Sequence, residues 1–227
     1  MSLSPNFGPR RNGLRPELVV LHYTAMESCA AAERALCDPA REVSAHYLIS
    51  EAGEVLALVA EDMRAWHAGA GDWAGTDDVN SRSIGIELSN TGFAPFAARQ
   101  IDALEALLPG ILARWSIRPE GVIAHSDMAP GRKSDPGPRF DWLRLARRGL
   151  TVWPDMAGAM RAPVPDKQRF RKAALAFGYP DVDDDLLLKT MRLRFRPGAD
   201  GPLDARDMAI IGDLAARFGV DRGAGST

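Results

Sequence analysis

The feature that most constrains the fold is an unbroken apolar run, ELVVLHYT, at residues 17–24. Continuous hydrophobicity, in place of alternation, is typical of a central strand that is covered on both faces. Two further strands are predicted at residues 83–90 (SIGIELSN) and 121–125 (GVIAH), and residues 24–38 have the alanine-rich composition of a helix. Strands that alternate with helices in this way predict an α/β fold.

A hairpin makes the predicted sheet mixed. Residues 44–59 (SAHYLISEAGEVLALV) hold two β-rich segments around a turn signal, so one strand runs antiparallel to its neighbour. Residues 65–75 are too rich in glycine for regular structure and predict a surface loop. Residues 97–116 predict a long amphipathic helix that is interrupted or kinked at Pro109. The expected domain is therefore a mixed central β-sheet flanked by helices.

The C-terminal third predicts a second, smaller domain of three helices. Residues 151–166 carry three prolines and no periodicity, which is typical of a linker. The predicted division is 1–150 for the α/β domain, 151–166 for the linker and 167–227 for the three-helix domain. Three aspartates are predicted to cap these helices: Asp166, Asp183 and Asp204.

Composition narrows the class of protein. The net charge of -2 and the isoelectric point near 6.1 argue against a nucleic-acid or anionic-membrane surface. There is no apolar run of about 18 residues, so no membrane span is predicted. Cys29 and Cys37 fall on one predicted helix, beyond disulfide reach, and indicate a small buried pair in a reducing compartment. Without an apolar signal segment at the start, we expect a cytoplasmic location; the alternative is the periplasm or cell envelope, if an export signal has been removed.

Three residues suggest a zinc site. His22 and His125 each end an apolar strand, and Asp135 follows in a loop rich in glycine and proline. A zinc hydrolase needs three protein ligands and one open position, where the metal lowers the pKa of water to about 7 and polarises a carbonyl. Spacing alone leaves the ordinary alternative open, in which each histidine has a core or surface role.

A cation and a carboxylate accompany these residues. Lys133 lies two positions before Asp135, so both face the same side of an extended segment. It could stabilise the oxyanion of a tetrahedral intermediate, or be a solvated loop lysine. Glu87 points away from its apolar neighbours and could be a general base, or a solvent-facing or paired carboxylate.

Several blocks of the sequence, in order, resemble one enzyme family. These are LVVLHYTA, SAHYLI, AWHAG, SIGIELSN and VIAHSDMAPGRKSDPGPRFDW, which together span roughly residues 15–150. They are similar to the type-2 N-acetylmuramoyl-L-alanine amidases, a zinc family that also resembles the peptidoglycan recognition proteins and the amidase-type phage lysozymes. Agreement of several blocks is more specific than any single motif.

The resemblance implies a function and a role for each site residue. It implies Zn²⁺ held by His22, His125 and Asp135, with Glu87 as the catalytic acid and base and Lys133 as the transition-state cation. The bond cleaved would join the lactyl group of N-acetylmuramic acid, or of its anhydro form, to L-alanine of the stem peptide, in cell-wall turnover or recycling. The implied partners are peptidoglycan or muropeptide fragments.

The sequence departs from the phage-type members at one position. Those carry a catalytic tyrosine just before the hairpin histidine, whereas this chain has Ala45 before His46, and Tyr47 lies on the other strand face. Glu87 therefore takes a larger share of the expected mechanism. Trp66 and His67 are candidates for substrate binding, with packing or a structural hydrogen bond as the alternative, and His46 is expected to be structural.

The C-terminal region resembles the three-helix peptidoglycan-binding domains through FGYP and RFRPGADGPLDARDMAI. Two alternatives to the amidase remain at this point. One is a non-catalytic protein that binds or senses peptidoglycan, and the other is a hydrolase of a different N-acyl peptide. The sequence does not fix the oligomeric state.

Overall fold

The structure, a computed structural model, describes residues 4–156 and 164–220. Part of the predicted linker and the last residues of the predicted three-helix domain therefore lie outside the described residues. The strands are β1 (Phe7–Pro9), β2 (Leu18–Tyr23), β3 (Tyr47–Ile49), β4 (Val55–Ala57), β5 (Met63–Ala65), β6 (Ser83–Leu88) and β7 (Val122–Ala124). The helices are α1 (Cys29–Leu36), α2 (Val79–Arg82), α3 (Ala98–Trp115), α4 (His125–Met128), α5 (Trp142–Arg147), α6 (Lys167–Phe177), α7 (Asp184–Phe195) and α8 (Ala205–Phe218).

Five strands form the central sheet in the order β4-β3-β6-β2-β7. β2 runs parallel to both β6 and β7, β3 runs parallel to β6, and β4 closes the edge as the antiparallel arm of the hairpin. The predicted mixed sheet is therefore confirmed. β1 and β5 pair separately as a small antiparallel sheet.

Both faces of the sheet are buried, as the unbroken hydrophobicity of β2 predicts. Val19 and Leu21 pack with Leu104 on the face covered by α3. Leu18 and Val20 point the other way and join the core formed with α6, α7 and α8. The alternation of side chains along a strand explains this division, because successive residues face opposite sides of the sheet.

The C-terminal helices begin where the aspartates predicted. Asp166 accepts a hydrogen bond from the backbone N–H of Arg169, and Asp183 caps α7 in the same way. Asp204 forms a full capping box with Asp207 at the start of α8. These helices lie in one hydrophobic core with the sheet, while the division into two domains stays a prediction.

Three expectations need correction. α3 is not interrupted at Pro109, which lies on the exposed side where water can satisfy the carbonyl that loses its donor, while the alternative of a kink stays a prediction. Residues 66–75 lie outside the helices and strands, as their glycines predict, but this loop is not wholly at the surface, because Ala68 and Trp73 are buried. Cys29 and Cys37 are free as expected but only half-buried.

Candidate metal centre and active site

The first two candidate ligands lie on neighbouring strands at one edge of the sheet. His22 is the penultimate residue of β2, and His125 is the first residue of α4, directly after β7. Because β2 and β7 are parallel neighbours, their carboxyl ends meet at the same edge. Asp135 returns to this edge from the following loop, where its carbonyl accepts the N–H of Ser126 at 3.0 Å.

The donor atoms of these three residues converge. His22 Nδ1 lies 3.0 Å from Asp135 Oδ2, and His125 Nδ1 lies 2.9 Å from the same oxygen. The two Nδ1 atoms are 2.8 Å apart, and all three residues are buried. Two imidazole nitrogens and a carboxylate oxygen are ligands that zinc prefers. The three residues therefore fit a zinc ion by donor type and by convergence.

The pKa shifts of His22 and Asp135 keep both side chains in the protonation state that binds a cation. Burial, and then the neighbouring His125, lower the pKa of His22 to about 4, so its ring is neutral and offers a lone pair. Burial raises the pKa of Asp135, but the hydrogen bonds to His125 and His22 together outweigh it and hold that pKa well below its ordinary value. The site thus combines a neutral imidazole with an ionised carboxylate, which are the forms that bind metal.

The second ring nitrogen of each candidate histidine ligand also has a partner. His125 Nε2 lies 2.9 Å from the carbonyl oxygen of Ala68, so Nε2 carries the proton and Nδ1 is left with a lone pair. His22 Nε2 lies 3.0 Å from His67 Nδ1. If His22 presents Nδ1 to a metal, its Nε2–H donates to His67. The adjacent residues His67 and Ala68 therefore support both ligands.

The proton positions around His67 follow from the same logic. Its Nδ1 accepts from His22, so its Nε2 carries the proton and donates to Ser83 Oγ at 3.2 Å. Ser83 in turn donates to the carbonyl of Val79 at 2.5 Å. Burial, and then His22, hold the pKa of His67 well below its ordinary value, which keeps the ring neutral. The ring lies against Gly85, where a Cβ would come within 2.3 Å of His67 Cγ.

Glu87 lies beside the candidate ligands. It is the register partner of His22 across β6 and β2, and its Oε2 is buried with no hydrogen-bond partner among the described residues. Burial, and then the carboxylate of Asp135, raise the pKa of Glu87 to about 8, with Lys133 opposing the shift. A carboxyl group without a partner, next to a metal site, can take and return protons.

A cavity of about 370 Å³ brings all seven predicted site residues together: His22, Trp66, His67, Glu87, His125, Lys133 and Asp135. Lys133 is exposed, and Trp66 and His67 are half-buried at the wall. Because both ring nitrogens of His67 contact protein groups, its geometry suits support of His22. The predicted substrate-binding role of Trp66 and His67 stays a prediction.

Ala45, His46 and Tyr47 of the hairpin are buried or hydrogen-bonded away from the cavity. Tyr47 donates its hydroxyl to Glu61 at 2.5 Å and does not line the cavity, and Ala45 is fully buried. His46 Nδ1 accepts the N–H of Gly85 at 2.9 Å, as expected of a structural histidine. No tyrosine of the hairpin therefore reaches the site.

Sequence reasoning missed two supporting residues. Arg132 donates to the carbonyl oxygens of Ala68 and Ala70, which ties the loop after β5 to the loop that carries Lys133. Ser83 closes the chain of hydrogen bonds behind His67. The one available signal was Gly85 within an apolar strand, since a glycine there often marks the close approach of another group.

Comparison with known proteins gives consistent results. Residues 12–138 match the family model described as N-acetylmuramoyl-L-alanine amidase (Amidase_2). The chain is 37% identical over 239 residues to the N-acetylmuramoyl-L-alanine amidase AmiD of Escherichia coli, across 91% of this chain and 85% of AmiD. It is 43% identical over 103 residues to the 1,6-anhydro-N-acetylmuramyl-L-alanine amidase AmpD of Enterobacter cloacae, across 45% of this chain and 55% of AmpD.

Two solved structures are similar over nearly the whole chain. E. coli AmiD, in complex with anhydro-N-acetylmuramic acid-L-Ala-D-γ-Glu-L-Lys, superposes with a TM-score of 0.82 and 35% identity, covering 92% of each chain. AmpDh3 of Pseudomonas aeruginosa, in complex with an anhydromuramic pentapeptide, gives a TM-score of 0.83 and 37% identity, covering 92% of this chain and 95% of AmpDh3. Within residues 4–156 and 164–220, no helix combines the length and apolar character needed to cross a membrane.

Proposed function

The chain belongs to the N-acetylmuramoyl-L-alanine amidase family of enzymes, and we propose that it uses zinc to hydrolyse the amide between the lactyl group of N-acetylmuramic acid and L-alanine. We extend this to the anhydro form of the sugar, because AmiD and AmpDh3 were solved with anhydromuropeptides. Zinc would be held by His22, His125 and Asp135.

The proposal depends most on the convergence of the three candidate ligands in one cavity. The donor atoms of the three ligands lie within 4.8 Å of one another, in the same cavity as Glu87 and Lys133. A zinc hydrolase needs three protein ligands and an open position, and a proton carrier and a cation nearby assist the reaction. The buried, unpartnered oxygen of Glu87 supports a catalytic role, because a purely structural carboxylate would be paired.

The mechanism follows from the residues around the scissile bond. Zinc, when bound, supplies Lewis acidity that activates water and polarises the amide carbonyl. With the positive charge of the metal beside it, Glu87 would be ionised and would accept a proton from the attacking water as the new C–O bond forms. Lys133 stabilises the oxyanion of the tetrahedral intermediate. Glu87 then returns the proton to the departing amino group of L-alanine as the C–N bond breaks.

The cavity also suits an anionic peptide. Arg41, Arg132 and Lys133 line it, whereas Ala32 and Leu36 of α1 provide an apolar wall. The stem peptide in the AmiD complex contains γ-linked glutamate, which leaves a free carboxylate. Cationic side chains beside an apolar wall would favour such a ligand.

The direct test is to incubate the zinc-loaded protein with an anhydro-muropeptide and identify products by mass. We expect free stem peptide and free anhydro-sugar, and loss of both after chelation. Glu87→Ala should abolish turnover and still bind zinc. Near-normal activity of that variant would overturn the role of Glu87, and ligand binding without product would favour the non-catalytic alternative.

The cellular substrate is a separate proposal. We propose soluble muropeptides in the cytoplasm, in peptidoglycan recycling, as the main substrates. Digestion of intact sacculi beside soluble anhydro-muropeptides, followed by mass identification of products, tests this choice. Equal or faster release from sacculi would favour an enzyme of the cell envelope, and cell fractionation would locate the protein.

A further inference from the structure

The C-terminal helices pack directly beneath the metal-ligand edge of the sheet. Leu18 and Val20 of β2 and Ile123 of β7 share one buried cluster with Phe170 of α6 and Leu187 of α7. This face of the sheet is also the one from which His22 projects, because side chains two apart along a strand lie on the same side. α7 also contacts α4, the turn that begins with the candidate ligand His125. The helices are therefore placed to influence the metal site.

Asp127, two residues after His125, links that turn to the helices. Its side chain is fully buried, so its carboxylate requires several partners. Oδ2 accepts the N–H of Ala124 at 2.9 Å and Nη1 of Arg194 at 2.6 Å. Oδ1 accepts the hydroxyl of Tyr179 at 3.2 Å. Two of these three partners belong to the C-terminal region of the chain.

Arg194 of α7 also bonds residues other than Asp127. Its side chain is 1% exposed, and its Nη2 donates to the carbonyl of Val122 at 3.0 Å and to Thr151 Oγ1 at 2.9 Å. The guanidinium also lies 4.2 Å from the centroid of the Trp142 ring. One planar group thus fixes the first residue of β7, the turn after it and the segment that leads to the helices.

The contacts of Arg194 bracket His125. Val122 lies three residues before His125 and Asp127 two residues after it, and both are bonded to the same guanidinium. We propose that Arg194 is a positioning residue, which fixes the orientation of His125 and makes the affinity for the metal depend on the C-terminal helices. This inference rests on the proposed metal role of His125.

A second buried ion pair in the same helix offers a matched control. Arg192, two residues away, pairs with Asp207 of α8 through Nε at 3.1 Å and Nη2 at 2.5 Å, and both side chains are buried. Its other contacts are the carbonyls of Gly201 and Pro202. None of these partners belongs to the segment around His125. Removing Arg194 takes from the buried Asp127 its cation, and removing Arg192 leaves the buried Asp207 with Arg196 alone, so both changes should destabilise the fold.

The experiment compares Arg194→Met with Arg192→Met in the full chain. Zinc affinity is measured by competition with a chromophoric chelator, well below each variant's melting temperature. We expect both variants to melt earlier. Only Arg194→Met should lose zinc affinity, by about ten-fold, which is the lower end of the loss for residues that bond a metal ligand directly. The imidazole NMR signals of His125 should shift in the same variant alone.

The Arg194→Lys variant covers the case in which Arg194→Met does not fold. Lysine keeps the charge beside Asp127, but its one nitrogen cannot take the positions of both Nη1, which bonds Asp127, and Nη2, which bonds Val122 and Thr151, so a smaller loss of zinc affinity is expected. Wild-type zinc affinity in the folded Arg194 variants, or an equal loss in Arg192→Met, would overturn the proposal. A wild-type protein that binds zinc and cleaves no muropeptide would overturn the amidase proposal alone.

Discussion

Hydrogen bonds at the second ring nitrogens of His22 and His125 orient these two candidate ligands. Each candidate histidine ligand bonds through its second ring nitrogen: His125 bonds the carbonyl of Ala68, and His22 bonds His67. His67 and Ala68 are held in turn, because both of their N–H groups donate to Asn80 Oδ1. A short, well-anchored segment therefore sets the ring orientation of both ligands.

We predict that His67→Phe weakens zinc binding by about ten- to a hundred-fold. Phenylalanine fills the space of the ring but cannot accept the proton of His22 Nε2, so His22 loses the bond that fixes its tautomer. His46→Phe is the control, since His46 is buried even more fully than His67 but bonds the backbone of Gly85 and Met63 and not a candidate ligand. Chelator competition measures both affinities, and equal zinc affinity in His67→Phe and the wild type would contradict the prediction.

The sequence alone could predict the positions of most candidate site residues on their strands, whereas their roles came from the family resemblance. His22 and Glu87 lie on apolar strands, where alternation fixes the direction of a side chain, and the structure brings them together as register partners. His67 lies in a loop, where no periodicity gives the direction of the ring. Its contact with His22 depends on the space left by Gly85, which only the packed structure reveals.

Among the elements, α3 carries a proline that costs stability. Pro109 lies inside the helix on its exposed side, where it removes one backbone hydrogen bond. Pro109→Ala should raise the free energy of unfolding by about 2 kcal/mol, after allowance for the greater freedom of the unfolded chain. Gly110→Ala, a control in the same turn, should gain about 1 kcal/mol or less. Urea denaturation measures both changes, and a less stable Pro109→Ala would show that the proline is needed.

Asp204, which caps α8, should make the stability of the fold depend on pH. Burial raises the pKa of Asp204, but bonds from Arg196 and from the helix N-terminus outweigh it and lower that pKa from 3.8 to about 2. The folded form therefore holds the ionised carboxylate, and this stabilisation is present above pH 3.8 and lost as the pH falls through 2. Asp204→Asn can still cap α8 without titrating.

Urea unfolding of Asp204→Asn and wild type between pH 5 and about 2 checks this effect. The wild type should lose more stability than the variant as the pH falls. Parallel stability profiles for the two proteins would show that Asp204 does not contribute to the acid dependence.

In the whole molecule, the C-terminal helices α6, α7 and α8 complete the hydrophobic core on one face of the central sheet. The composition of residues 151–166 predicts a linker and a separate domain, because prolines and a lack of periodicity are local signals. The packing of α6–α8 on Leu18, Val20 and Ile123 is a long-range relation that such signals do not contain. The apolar faces of the helices were predictable, whereas the surface that they cover was not.

A chain ended at residue 156 should therefore fail to fold cooperatively. It would expose Val20 and Ile123 of the sheet and leave Asp127 without Arg194 and Tyr179. Size-exclusion chromatography and thermal melting would reveal aggregation or a broad, non-cooperative transition. A soluble monomer that melts sharply and binds zinc like the full chain would contradict this account of the helices.

The proposed roles of the site residues all depend on hydrolysis, by the zinc-loaded protein, of the bond between the lactyl carbonyl and L-alanine. The most direct measurement is cleavage of an anhydro-muropeptide in water enriched in heavy oxygen, with the mass of both products. Because water attacks the lactyl carbonyl, we predict one heavy oxygen in the lactyl carboxylate of the sugar and none in the peptide that begins with L-alanine. Label in a peptide carboxylate, or no product with zinc bound, would contradict it.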